Sequence, residues 1–247
     1  MATLQMKTIA AQRKTMIEGG MKAVFKNLFS FQKIPDILMS DHSYYSMVVK
    51  DILAFTLAHS AICDGGQIFG GFLCSIYSGA FYNDIDILFT ETNQGDSFCN
   101  KICNLLENML GLDFSDYTIR EIPKSYSRSF VIRATLEGVK ATLEVDVTSV
   151  KNLPLSKNGI FHPVTWGRTL QYGKEGLSFR KVGSQKRTSK KPSLKYIESI
   201  LSEQKDIKND SFVSHIVGGD TEARMYKKYI DTKLANLNKE GYSIVEC

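Results

Sequence analysis

Residues 70–89 read GGFLCSIYSGAFYNDIDILF. A Gly-Gly pair leads into an apolar run that closes at Gly79. A short polar connection follows, and then Asp84, Ile85, Asp86 and Ile87 alternate. Strict alternation of polar and apolar residues is the period of a β-strand. In a strand, residues two apart project from the same face, so Asp84 and Asp86 stand together and Ile85 and Ile87 face the other way. Their Cα atoms lie about 6.6–7 Å apart at the usual rise per residue. An apolar strand that carries Asp twice on one face needs a reason, and the rest of the chain supplies one.

Outward from this stretch, QIFGG (67–71) reads as a short strand ending at a glycine turn, and FLCSIYSG (72–79) as a short helix that Gly79 stops. Residues 43–59 are apolar on most sides and long enough for a buried helix. Residues 3–28 read as an amphipathic helix interrupted by Gly19-Gly20, and Pro35 marks a break after it. Residues 96–110 place Ile102, Leu105, Leu106 and Met109 on one helical face. Then come three β-rich segments, YTIREI (117–122), SFVIRATLEG (129–138) and KATLEVDVTSV (140–150), with a hairpin turn at Gly138. Residues 169–182 read as another hairpin.

A composition shift follows. Residues 180–195 carry seven Lys or Arg and no acid, which reads as a linker, and two helical patterns finish the chain at 193–204 and 221–240. The expected fold is α+β, a small mixed sheet flanked by helices. The expected organisation is an N-terminal helical segment over 1–40, a central domain over 41–180, and a basic linker with C-terminal helices over 181–247.

The gross numbers agree with a folded, water-exposed protein. The chain has 247 residues, 43% hydrophobic and 23% charged, the balance of a globular domain with a sizeable core. A net charge of +5 is compatible with an anionic partner without requiring one. Five cysteines in a chain of this size argue against a disulfide framework and for a reduced, cytoplasmic setting. Cys99 and Cys103 fall on one helical face, as core packing requires; with His59 and Cys63 they are also a candidate zinc set. The N-terminal segment lacks the apolar h-region of a signal peptide. Lys7, Arg13 and Lys14 precede the first acid, Glu18, as in mitochondrial presequences, but a surface helix is the plainer expectation. No run reads as long enough to span a membrane.

The reason for the paired aspartates is chemical. Two carboxylates at strand spacing converge on hard cations such as Mg²⁺ or Mn²⁺, which take oxygen ligands and leave room for substrate phosphates. A third acid from another strand completes such a site, and TLEVDVTSV (142–150) offers Asp146, with Glu144 on the same face as its competitor. Asp146 is the shorter acid and sits deeper in the apolar run. It can hold metal and take a proton from an attacking hydroxyl. Gly70 and Gly71 permit close approach of backbone to phosphates, and the helix after them aims its first N–H groups at anions. Ser75 and Ser78 are candidates to add a hydroxyl.

Gly70-Gly71, the short helix, Asp84-Ile85-Asp86 and the later strand acid Asp146 together resemble the polymerase-beta-like nucleotidyltransferase superfamily. The spacing is most similar to the CCA-adding enzymes and bacterial poly(A) polymerases, and the resemblance covers residues 60–155. It implies an enzyme that moves a nucleoside monophosphate from an NTP to a hydroxyl acceptor such as an RNA 3′ end. In that reading Asp84, Asp86 and Asp146 are catalytic metal ligands, and Gly70, Gly71, Ser75 and Ser78 bind the nucleotide. Lys186, Arg187, Lys190 and Lys191 would contact nucleic-acid phosphates, a contact driven by counterion release. That class carries Arg-Asp where this chain has Cys74-Ser75, which motivates the alternative of an inactive relative acting as a nucleic-acid-binding or assembly module.

Overall fold

The computed structural model describes residues 2–31, 42–79, 81–124, 127–149 and 170–179, with isolated short pieces at 207–208, 235 and 244–245. The expected C-terminal helices and the basic run with Lys186, Arg187, Lys190 and Lys191 lie outside the described residues.

The order of elements is α1 (Ala2–Phe31), α2 (His42–Cys63), β1 (Gln67–Phe69), α3 (Gly70–Ser78), β2 (Asp84–Phe89), α4 (Thr92–Asp113), β3 (Asp116–Pro123), β4 (Arg128–Leu136), β5 (Val139–Ser149), β6 (Leu170–Gly173) and β7 (Gly176–Phe179). The seven strands form one sheet in the order β3-β4-β5-β2-β1-β6-β7. The pair β2–β5 is parallel and its neighbours are antiparallel, so the sheet is mixed and the fold is α+β. A parallel pair needs a crossover, and here α4 with the β3–β4 hairpin supplies it. Two more short strands, β8 (Ile207–Lys208) and β9 (Ile244–Val245), pair in parallel apart from this sheet.

Each local signal has its physical counterpart. Gly20 in α1 takes φ 68° and ψ −162°, so the helix kinks where the sequence carries Gly-Gly. Gly79 caps α3 in the left-handed region, its N–H donating to Ser75 O at 2.9 Å. The β4–β5 hairpin turns through Glu137 and Gly138, both with positive φ, which matches a two-residue turn to the strand twist.

The alternation in the strands sorts the sheet faces. Ile85, Ile87, Phe89, Leu143, Val145 and Val147 all enter one buried cluster with α1, α2, α3 and α4. Each such large aliphatic or aromatic side chain, fully buried, contributes about 1.5–3 kcal/mol. Their polar neighbours in sequence occupy the opposite face.

Two expectations are corrected. By length and composition alone, Tyr44–Cys63 of α2 is apolar enough to cross a membrane, so such a run does exist. It is the central core helix, with 67% of that window buried inside the protein. The N-terminal helix is not a surface appendage either. Ile9, Ala10, Met16, Ile17, Val24 and Leu28 of α1 are buried, and so is Arg13.

Candidate metal centre

Asp84 and Asp86 lie on β2, and Asp146 on the parallel neighbour β5, where Asp86 and Asp146 stand opposite each other in register. All three are half-buried, and one carboxylate oxygen from each lies within 4.8 Å of the other two. Glu144, the competitor, stands opposite Asp84 but falls outside this group. The all-oxygen donor set suits Mg²⁺ or Mn²⁺. Among the described residues no cluster of His and Cys accompanies it. His59 is buried with Nε2 donating to Met16 O at 2.9 Å. Cys99 is buried in the core with its thiol pushed up to about 12 by that burial. The zinc alternative therefore has no geometry behind it among the described residues.

The glycine pair abuts the acids. Gly70 opens α3 with φ 78°, and a Cβ placed there would overlap Asp86 Oδ2. Only glycine satisfies both constraints. Gly71 is exposed, with no atom within 4 Å of where its Cβ would begin. The first turn of a helix, whose N–H groups have no partner within the helix, thus opens beside the carboxylates. This cradle, shaped by the missing Cβ of Gly70, fits a cation held by the three acids with an anion against the helix start.

Ser75 differs from the expectation. It is 2% exposed, and its Oγ donates to Phe72 O at 2.6 Å, so the hydroxyl is spent within α3 rather than turned to a phosphate. The side chains of Ser78 and Cys74 lie outside the described residues.

Residues that sequence reasoning passed over contact the third acid. Ser129 of β4 stands opposite Asp146 and its Oγ donates to Asp146 Oδ1. Lys124, just past β3, donates to Asp146 Oδ1 and Oδ2 at 2.9 and 3.0 Å and to Glu144 Oε1 at 2.7 Å. Burial alone would pull the Lys124 ammonium down, but the hydrogen bonds and charges of Glu144 and Asp146 outweigh it and raise it far above the ordinary lysine range.

Behind Asp84 lies a buried ionic network. Arg13 Nε donates to Asp51 Oδ2 at 2.8 Å, Tyr82 OH donates to Asp51 Oδ1 at 2.8 Å, and Arg13 NH1 donates to Ser75 O at 2.9 Å. The Tyr82 ring packs against two cations, with Arg13 Cζ at 5.1 Å and Lys50 Nζ at 4.9 Å from its centroid. Lys50 Nζ also donates to Tyr82 O at 2.6 Å. Its burial holds it below the ordinary lysine range despite the nearby charges of Asp84 and Asp51. This network ties α1, α2 and α3 to the segment that delivers Asp84. Its members are far apart in sequence, so only the separate residue types were visible there.

No protein-family model matches the chain, and no curated protein matches it.

Proposed function

We propose that this protein is a metal-dependent nucleotidyltransferase that moves a nucleoside monophosphate from an NTP to a hydroxyl acceptor and releases pyrophosphate. The supporting observation is the convergence of Asp84, Asp86 and Asp146, with oxygens within 4.8 Å of one another, beside the Gly70-Gly71 helix start. The resemblance in motif order to polymerase-beta-like nucleotidyltransferases agrees with it. Mg²⁺ or Mn²⁺, when bound, supplies the charge that offsets the α-phosphate and the departing pyrophosphate.

The chain's own groups do the rest. Asp84 and Asp86 hold the metal ions from β2. Asp146, fixed by Ser129, completes the ligand set and takes the acceptor's proton on a carboxylate oxygen. The acceptor oxygen then bonds to the α-phosphorus as the bond to the pyrophosphate oxygen breaks. Backbone N–H groups at Gly70 and Gly71 hold the outer phosphates. An RNA 3′ end is the acceptor this reading puts first, with the basic residues 186–191 on its phosphates.

The second reading is an inactive relative that binds nucleic acid or organises an assembly. It is favoured by Cys74-Ser75 in place of Arg-Asp and by the inward hydrogen bond of Ser75. Incubation with Mg²⁺ or Mn²⁺, each α-labelled NTP, a mixed RNA pool and the protein itself separates the two. The expected result is label transferred by the wild type and lost in Asp84→Asn/Asp86→Asn. NTP binding without transfer supports the inactive relative. Transfer that survives in the double variant refutes the metal assignment.

A further inference from the structure

Lys124 is the one described cation that touches the third carboxylate, and it touches both of its oxygens, at 2.9 and 3.0 Å. One of those oxygens is also the atom through which Asp146 joins the acid cluster. A metal ion and the Lys124 ammonium therefore compete for the same carboxylate. Ser129 already bonds to one of its oxygens. The ammonium has a second anchor that is not part of the cluster, Glu144 Oε1 at 2.7 Å. Its place at the β3–β4 connection leaves it about one-third exposed, with a side-chain accessibility of 32%, so it has room to retire from one acid to the other.

Resting on the metal reading above, we infer that Lys124 is a built-in counter-cation of the third carboxylate, which a divalent ion must displace towards Glu144. This gives Glu144 a role beside the site rather than in it. It also makes Lys124 a positioning residue, one that sets how tightly the site takes metal without contacting the reacting atoms. The alternative, that Lys124 merely splints Asp146 in a ligating pose, predicts the opposite sign. Removing a splint loosens metal binding, whereas removing a competing charge tightens it.

The test is Mn²⁺ binding to the full chain, read by electron paramagnetic resonance of the free ion, on wild type, Lys124→Gln, Lys124→Arg and Asp84→Asn/Asp86→Asn. Circular dichroism on each confirms the fold. Lys124→Gln is expected to bind Mn²⁺ about tenfold tighter: one unit charge on a dication about 5 Å away at the dielectric constant of water gives a factor of about 17, which salt screening reduces. Lys124→Arg keeps the charge and stays near wild type. Equal or weaker binding by Lys124→Gln, while the double Asn variant loses binding, overturns this inference and leaves the metal centre standing. No Mn²⁺ binding by wild type or Lys124→Gln overturns both.

Discussion

Replacing Asp51 with Ala removes a carboxylate bonded to a guanidinium that is wholly buried. Arg13 is 0% exposed and Asp51 6%, and the pair closes at 2.8 Å. Breaking a buried pair from one side costs about 3–5 kcal/mol, because the remaining charge loses its compensation. Tyr82 OH loses its acceptor in the same change, which falls within that range rather than adding to it. For a chain of this length each kcal/mol lowers Tm by about 2–4 °C, so a loss near 4 kcal/mol lowers it by about 8–16 °C. Urea unfolding followed by circular dichroism gives the free energy, and a thermal melt gives Tm. The companion variant is Arg13→Met/Asp51→Leu. Exchanging a buried pair for apolar side chains of similar size is often neutral or favourable, so the double variant is expected to be more stable than Asp51→Ala alone. A loss under about 1 kcal/mol in Asp51→Ala refutes the reasoning, as does a double variant no more stable than the single.

Two further outcomes follow from single residues. Gly70→Ala forces a Cβ onto Asp86 at a φ of 78°, so it should lose about 1–2 kcal/mol of stability from the backbone alone and weaken Mn²⁺ binding by displacing the carboxylate; unchanged binding would show that Gly70 does not shape the site. His59 is held below its ordinary pKa by burial, against the hydrogen bond to Met16 O. The unfolded chain then binds a proton before the folded one as pH falls, so this part of the stability is whole above about pH 6.5 and drains below it, by at most about 1.4 kcal/mol per pH unit. His59→Gln should flatten that limb between pH 7.5 and 5.5, and an unaltered slope would remove His59 as its source.

The elements around the acids were legible because their signals are local. The Asp-Ile-Asp-Ile alternation, Gly79 after α3 and the Glu137-Gly138 turn each act within a few residues, and each appears where the sequence put it. The three acids were legible as a set because the period of two assigns a face without knowledge of the partner strand. What joins them was not. Ser129 and Lys124 reach Asp146 only through the pairing of β3, β4 and β5, and Arg13 meets Asp51 across 38 residues. Pairing of that kind leaves no trace in hydrophobic period. Arg13 was misread for the same reason: a basic residue in an amphipathic helix belongs on the surface unless a distant carboxylate accompanies it inward. The inward hydrogen bond of Ser75 was not legible, because a serine after Gly-Gly is as able to bond its own helix as a phosphate.

The acids also carry a stability signature that separates function from architecture. Asp86 and Asp146 stand opposite each other in register, with Asp84 on the same face, and like charges directly opposite on a sheet are destabilising. Lys124 offsets part of this at Asp146. Ile85, Ile87 and Val145, not the acids, hold the strands in the core. On the metal reading proposed above, the fold carries this repulsion for the sake of the site, as expected where a site is kept for activity rather than for stability. In chelator, Asp84→Asn/Asp86→Asn should melt near wild type, because the repulsion it relieves is set against the attraction of Asp84 to Lys50 that it loses. With Mn²⁺ added, the wild type should melt higher, since only it gains by binding in the folded state. A double variant that gains as much Tm from Mn²⁺ as the wild type does would refute the metal reading, with no assay of activity needed.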